Sequence, residues 1–344
     1  MATPIEINSD VLQVFSGDRP HFGHLTNPAY DRYLRMHKVQ VKNGGARLLE
    51  KLAGEMSSEI LPDFLDAAGW AYAESALSDS ELSAIEKVDR LSIAEMNWQR
   101  ALQSVDSMNG SELGDLIISD SQPFRLALNI AYLPLMKAIA VGNVTKSVRY
   151  RAFADTLAIA QLAIVHQDLA RRDGISEGVA DMTGLVYECT ALLALLDIDD
   201  PRYIPIPSSP RADSGYYHRD QTHDITIINQ HWGDIRKIIP VEIKKHPSGK
   251  DRLRYMAIII SKNDLVEHKH STAEATIDSY TRATEGRASQ ADIALMEQVS
   301  SNLKGLLRDY QCGFTPEGMA VDSVTRFYVD RRKKSARKTS KISA

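Results

Sequence analysis

The spacing of apolar residues changes once along this chain of 344 residues, near residue 173, and that change limits the fold more than any other feature. Before it, apolar side chains recur every three or four residues, as in amphipathic helices, and strand-like alternation is nearly absent. Arg125–Ile139 and Ser147–Ala170 are the longest such stretches. We therefore predict an all-helical domain over residues 28–172, preceded by an irregular lead-in over residues 1–27.

Beyond residue 173, one apolar helix over Thr183–Leu196 is followed by short β-branched runs that turn residues separate. These runs are Tyr203–Ile206, Asp224–Ile228, Ile238–Ile243 and Tyr255–Ile260. Two further helical stretches follow them. This order predicts an α/β domain over residues 173–330, with a central mixed sheet flanked by helices. Residues 331–344 have no apolar face, and we predict a disordered basic tail there.

The charge is distributed unevenly between the two parts of the chain. The net charge is -4, but residues 1–200 hold 17 basic against 28 acidic side chains, and the last fourteen residues hold seven basic ones and no acid. This pattern argues against a uniformly basic nucleic-acid binder. Any grip on nucleic acid needs a local patch together with the tail.

The sequence also favours a reducing compartment. Cys189 and Cys312 are too few and too far apart for a disulfide framework or a cysteine zinc site. The chain starts without a secretory signal, and no uninterrupted apolar stretch reaches the roughly 18–20 residues that cross a bilayer. We therefore expect a cytoplasmic protein without a membrane partner.

Three residues in the second part of the chain have the chemistry of a phosphodiesterase site. Asp224 begins one β-branched run, and Glu242 and Lys244 end the next. Residues i and i+2 of a strand share a face, so Glu242 and Lys244 are expected to project together while Ile243 turns away. A turn at Gly233 would fold the two runs into a hairpin and bring Asp224 beside Glu242.

An Asp at the start of a strand, followed by a return strand that ends in Glu-x-Lys, resembles the PD-(D/E)xK, or restriction-endonuclease-like, nuclease superfamily. An acid-bearing helix before the first strand is also typical of it, and Glu188 on Gly184–Leu193 matches that feature. The resemblance covers roughly residues 176–285. It departs from the family pattern at His223, where the family has proline.

The resemblance implies how the residues would work. Asp224, Glu242 and the backbone carbonyl of Ile243 would bind Mg²⁺, for which Mn²⁺ could substitute, Lys244 would assist the attacking water, and Glu188 would support the metal or its waters. The implied activity is metal-dependent hydrolysis of phosphodiester bonds, in DNA more than in RNA, with a role in restriction or defence.

Nearby residues are weaker candidates for contact with substrate. Tyr217 and Arg219 lie just before Asp224, and Lys245 follows Lys244; these side chains could stack on bases or touch phosphates. The helical domain has no catalytic constellation, and its acidic balance favours protein interaction or homo-oligomerisation.

Simpler interpretations stay open at this stage. Glu242 and Lys244 could form an ion pair on the solvated face of an edge strand, with Asp224 as a turn cap, and Glu188 could point to water. A second Glu-x-Lys, Glu267–Lys269, shows how easily the string arises. The alternative function is a non-catalytic interaction or nucleic-acid-binding protein that keeps a nuclease-like scaffold.

Overall fold

Helix-favouring residues dominate the part of the chain that can be described. The computed structural model describes residues 61–79, 81–108, 121–174, 176–200, 203–208, 224–229, 237–244, 258–265 and 273–311. The predicted lead-in and the predicted basic tail lie outside these residues. Every described element before residue 172 is a helix, as the periodicity predicts.

The first three described helices belong to one compact unit, which comprises residues 1–145 and 169–181. They are α1 (Leu61–Ser78), α2 (Ala84–Met108) and α3 (Gln122–Val141). A reciprocal cap starts α2: the backbone N–H of Ser83 donates to Glu86 at 2.8 Å, and the N–H of Glu86 donates to the Ser83 hydroxyl at 3.3 Å.

Two tryptophans form the centre of this unit. Trp70 and Trp98 pack edge to face with ring centroids 5.3 Å apart, and the side chain of Trp98 is fully buried. Nearby, the amide of Asn129 donates to the carboxylate of Asp66 at 3.1 Å, which ties α3 to α1.

Helix α3 has the length and apolar composition that a membrane span requires. Within the described residues it is the one helix that could cross a membrane by length and composition alone, but more than half of its most apolar window is buried inside the protein. Gly142 ends it in the left-handed conformation, with φ 73°, where a side chain would be strained.

Two long helices follow, α4 (Lys146–Arg172) and α5 (Ser176–Asp197). They confirm the helices predicted over Ser147–Ala170 and Thr183–Leu196. Residues 146–168 and 182–344 make up the second compact unit, so each of these helices contributes residues to both units. The predicted boundary at residue 173 falls between them.

The second unit contains a four-stranded sheet in the order β1-β2-β3-β4. Its strands are β1 (Tyr203–Pro207), β2 (Ile225–Asn229), β3 (Lys237–Lys244) and β4 (Ile258–Ser261). The first three pair antiparallel in sequence order, and β4 pairs parallel to β3. Ile225 and Val241 are fully buried register partners, so the β-branched runs form strands because they fill this core.

Three described helices complete the second unit: α6 (Lys262–Leu265), α7 (Ala273–Thr284) and α8 (Gln290–Gln311). The ring of Tyr280 on α7 packs edge to face on Phe153 of α4, with centroids 5.5 Å apart. Ser300 on α8 donates to the carboxylate of Asp197 at 3.1 Å, which links α8 to the end of α5.

The predicted fold class is wrong. We expected an α/β domain of restriction-endonuclease-like form, with a central mixed sheet flanked by helices, but the described residues are predominantly helical with a small sheet. Five of the eight described helices have 20 residues or more, whereas the strands have 5, 5, 8 and 4. The β-branched runs are too short to organise a domain, while the segments around them are rich in strong helix formers.

Candidate active site

The candidate site lies at the end of the β2–β3 ladder. Asp224 directly precedes β2, and its backbone N–H donates to the carbonyl of Val241 at 3.0 Å. Its own carbonyl accepts from the N–H of Ser208 at 3.1 Å. Backbone hydrogen bonds therefore hold Asp224 from both neighbouring strands, as the hairpin prediction requires.

The side chain of Asp224 also reaches across to β3. Its Oδ2 accepts a hydrogen bond from the backbone N–H of Ile243 at 2.7 Å, and the side chain is half-buried. Ile243 is the middle residue of the Glu-x-Lys run. A charge-assisted bond of this length fixes a carboxylate well, so the aspartate is held beside the backbone that carries Glu242 and Lys244.

The backbone of Glu242 and Lys244 pairs with β4 along one side of β3. In the parallel register of β3 with β4, Glu242 pairs with Ile259 and Lys244 with Ser261. The side chains of Glu242 and Lys244 lie outside the described part of the structure. That they share a face remains a prediction from the two-residue repeat of a strand.

Glu188 is buried in α5. Only 8% of the residue is exposed, so it does not point to water, which removes one of the two interpretations left open for it. A buried carboxylate requires hydrogen-bond or ionic partners, because leaving water is costly for its charge.

Three predicted substrate contacts, Tyr217, Arg219 and Lys245, lie outside the described residues. Among the side chains that the structure describes, no group of three His, Cys, Asp or Glu residues could hold a metal ion. Glu242 is not one of those side chains. The ligands predicted for Mg²⁺ are nevertheless oxygen donors, which this ion prefers. The Asp224 carboxylate is held beside the backbone of Glu242 and Ile243, the other two predicted ligands.

Two hydroxyl groups, which the sequence motif did not predict, lie next to Asp224 and help to hold its backbone. The hydroxyls of Ser208 and Thr226 lie 2.5 Å apart, and Ser208 is 8% exposed. Since the N–H of Ser208 also holds the Asp224 carbonyl, this pair adds a second link between the end of β1 and the start of β2. Only the register of β1 with β2 reveals it.

Arg149 is the second feature that sequence reasoning missed. Its guanidinium is buried and donates to the backbone carbonyls of Asp200 at 3.0 Å, Tyr203 at 3.3 Å and Leu196 at 3.4 Å. Burial lowers the pKa of Arg149, and the charge of Asp199, 3.5 Å away, opposes that shift. The arginine thereby joins the end of α5 to the start of β1, which leads into the candidate site.

No protein-family model, curated protein or solved structure matches this chain.

Proposed function

We propose that Asp224, Glu242 and Lys244 form the active site of a metal-dependent nuclease. The observation that carries the proposal is the 2.7 Å hydrogen bond from the N–H of Ile243 to the Asp224 carboxylate. It joins an acid at the start of one strand to the backbone of a Glu-x-Lys run on the next. The proposal stands on this strand pair and its residue types, and it does not depend on the overall fold class.

The residues divide the work by chemical type. The carboxylates of Asp224 and Glu242 and the carbonyl of Ile243 offer hard oxygen ligands for Mg²⁺ or Mn²⁺. A bound divalent cation would supply charge stabilisation for the pentavalent transition state. The ammonium of Lys244 would orient the attacking water and oppose the negative charge that develops on the phosphate oxygens.

Glu188 is proposed as a supporting acid. It is buried in α5, the helix that precedes the sheet. A role in holding the metal or its waters would account for an acid at that position.

DNA is the proposed substrate, with RNA as the second choice. The resemblance to PD-(D/E)xK nucleases favours DNA and a role in restriction or defence. The basic tail would add affinity that does not depend on sequence and that falls with rising salt concentration.

The test is cleavage of supercoiled plasmid by purified protein with Mg²⁺, Mn²⁺ or EDTA. Asp224→Asn is the most informative variant, because an asparagine oxygen can still accept from the Ile243 N–H while the negative charge is lost. We expect this variant, Glu242→Ala and Lys244→Ala each to reduce cleavage by at least about a hundredfold, the usual scale for lost transition-state stabilisation.

The chain offers a matched control in its second Glu-x-Lys. Glu267→Ala and Lys269→Ala change the same residue types in the same spacing and should leave cleavage unchanged. Metal-dependent cleavage that survives Asp224→Asn and Glu242→Ala would place the activity elsewhere. Wild-type protein that cleaves neither DNA nor RNA would favour a non-catalytic interaction protein.

A further inference from the structure

Helix α4 carries a row of outward-facing residues at alternating spacings of three and four. We call this row the α4 stripe. Its members are Asp155, Ala158, Leu162, Val165, Leu169 and Arg172. The spacing is that of the a and d positions of a coiled coil, which face a partner helix.

The α4 stripe is exposed, whereas much of the rest of the helix is not. Leu162, Val165 and Leu169 are 56%, 55% and 38% exposed. Thr156 and Ala163, elsewhere around the helix, are fully buried within the protein. The helix is thus anchored from one side and leaves three large apolar side chains in a continuous row on the other. Rows of this kind mark interaction surfaces.

The charges at the ends of the α4 stripe select one arrangement of two helices. Asp155, whose side chain is 41% exposed, stands at one end, and the exposed Arg172 stands at the other. In a parallel pair, each position faces its own copy, so aspartate would oppose aspartate and arginine would oppose arginine. In an antiparallel pair, a positions face d positions, and each Asp155 opposes an arginine.

We propose that the α4 stripe binds a second copy of this chain as an antiparallel helix pair. In the symmetric register, Asp155 faces the partner's Arg172, Ala158 faces the partner's Leu169, and Leu162 faces the partner's Val165. Each facing pair forms one layer of the interface, and the two-fold axis then generates three more layers of the same composition. Small residues meet large ones, and both ends close with an ion pair, which complementary packing requires.

The Asp155 carboxylate already lies 3.8 Å from Arg151 on its own helix. The side chains of Arg151 and Asp155 are 70% and 41% exposed, so this contact is weak and does not compete strongly with a partner arginine. Six layers along one helix bury less surface than the roughly 1,200 Å² typical of stable complexes, so the expected dissociation constant is roughly 10–100 μM.

Sedimentation velocity of the full chain at about 1–200 μM, a range that spans that dissociation constant, tests the proposal. We expect a concentration-dependent dimer for the wild type and monomer throughout for Leu162→Glu. Tyr150→Glu is the matched control, because Tyr150 is 64% exposed on the same helix but lies off the stripe. It should dimerise like the wild type.

Charge reversal tests the direction of the pair. Asp155→Arg and Arg172→Asp should each weaken dimerisation at least tenfold, and the double variant should recover wild-type affinity. A wild type that stays monomeric throughout the range overturns the proposal, as does a dimer that tolerates Leu162→Glu. A double variant no better than the single ones overturns the antiparallel register. Circular dichroism on each variant confirms folding, which exposed positions should not affect.

Discussion

The carboxylate of Asp224 accepts the backbone N–H of Ile243 at 2.7 Å, so one side chain holds the adjoining strand at the residue between Glu242 and Lys244. The bond has a structural role and a proposed chemical one. It closes the strand ladder at its end, and it fixes the orientation of an acid that a metal site would need in one position.

These two roles separate by substitution. Asp224→Ala leaves the half-buried N–H of Ile243 without its acceptor and should destabilise the protein by about 1–3 kcal/mol. Asp224→Asn keeps an acceptor and should cost less than about half of that, while still abolishing cleavage. Urea unfolding and plasmid cleavage on the same preparations measure both. Equal stability losses in the two variants would show that the charge, and not the hydrogen bond, maintains the strand end.

Among the basic residues of α4, Arg149 should cause the largest loss of stability when it is substituted. Arg149→Met removes a buried cation that donates to three backbone carbonyls, and each such bond is worth about 1.5–3 kcal/mol, so a total loss of about 3 kcal/mol or more is expected. Arg151→Met is the control, because Arg151 is 70% exposed and makes one ion pair within its helix, worth under about 0.5 kcal/mol. Thermal unfolding of both variants would contradict this account if their losses were similar.

Local patterns in the sequence predicted local structure well. The spacing of apolar residues located α3, α4 and α5, and the β-branched runs located the strands, because both patterns reflect which face of an element is buried. The hairpin that brings Asp224 to Glu242 followed from the distance along the chain between them. The fold class could not be predicted in this way. The size of the sheet and the proportion of helix around it depend on tertiary packing, which a short motif does not encode. Arg149 was missed for a related reason. Its partners are backbone carbonyls 47 to 54 residues away, and because every residue type carries a backbone carbonyl, no sequence pattern marks them.

Acid should destabilise the second unit through Asp292. Its carboxylate accepts from the guanidinium of Arg282, from the N–H and hydroxyl of Ser289 at 2.8 and 2.7 Å, and from Ser279 at 2.9 Å. The bond from Arg282 is the largest cause that holds the pKa of Asp292 below its ordinary value, and the Ser289 bonds come next. A lowered folded-state pKa stabilises the protein at pH values above the unfolded-state pKa, near 4, and that stability is lost as the pH falls further.

Asp292→Asn should therefore lower stability at pH 7 and flatten the decline in stability that begins as the pH falls through about 4. Glu86→Gln provides the comparison, since Glu86 forms a similar cap with Ser83 but is exposed and has no arginine hydrogen-bonded to it in the structure. Its substitution should change the pH dependence much less. Chemical unfolding at several pH values would contradict the prediction if the two variants behaved alike.

Gly69 tests how tightly the tryptophan pair of the first unit is packed. A Cβ at this position would lie 2.4 Å from Nε1 and 2.7 Å from Cδ1 of Trp98. The indole cannot move away freely, because it is fully buried, packs on Trp70 and donates to the carbonyl of Asp66 at 3.4 Å. Gly69→Ala should therefore destabilise the protein by about 1–3 kcal/mol, the usual cost of overpacking, even though alanine favours helix over glycine.

The opposite result is expected at Gly184 in α5, where nothing lies within 4 Å of an added Cβ. Gly184→Ala should stabilise the protein by about 0.5–1 kcal/mol, because the helix gains propensity without a clash. Thermal unfolding of the two variants side by side compares the same chemical change in two environments. If Gly69→Ala raised the midpoint as Gly184→Ala is expected to, the indole of Trp98 would have room to shift, and the close packing of α1 on α2 would not limit stability.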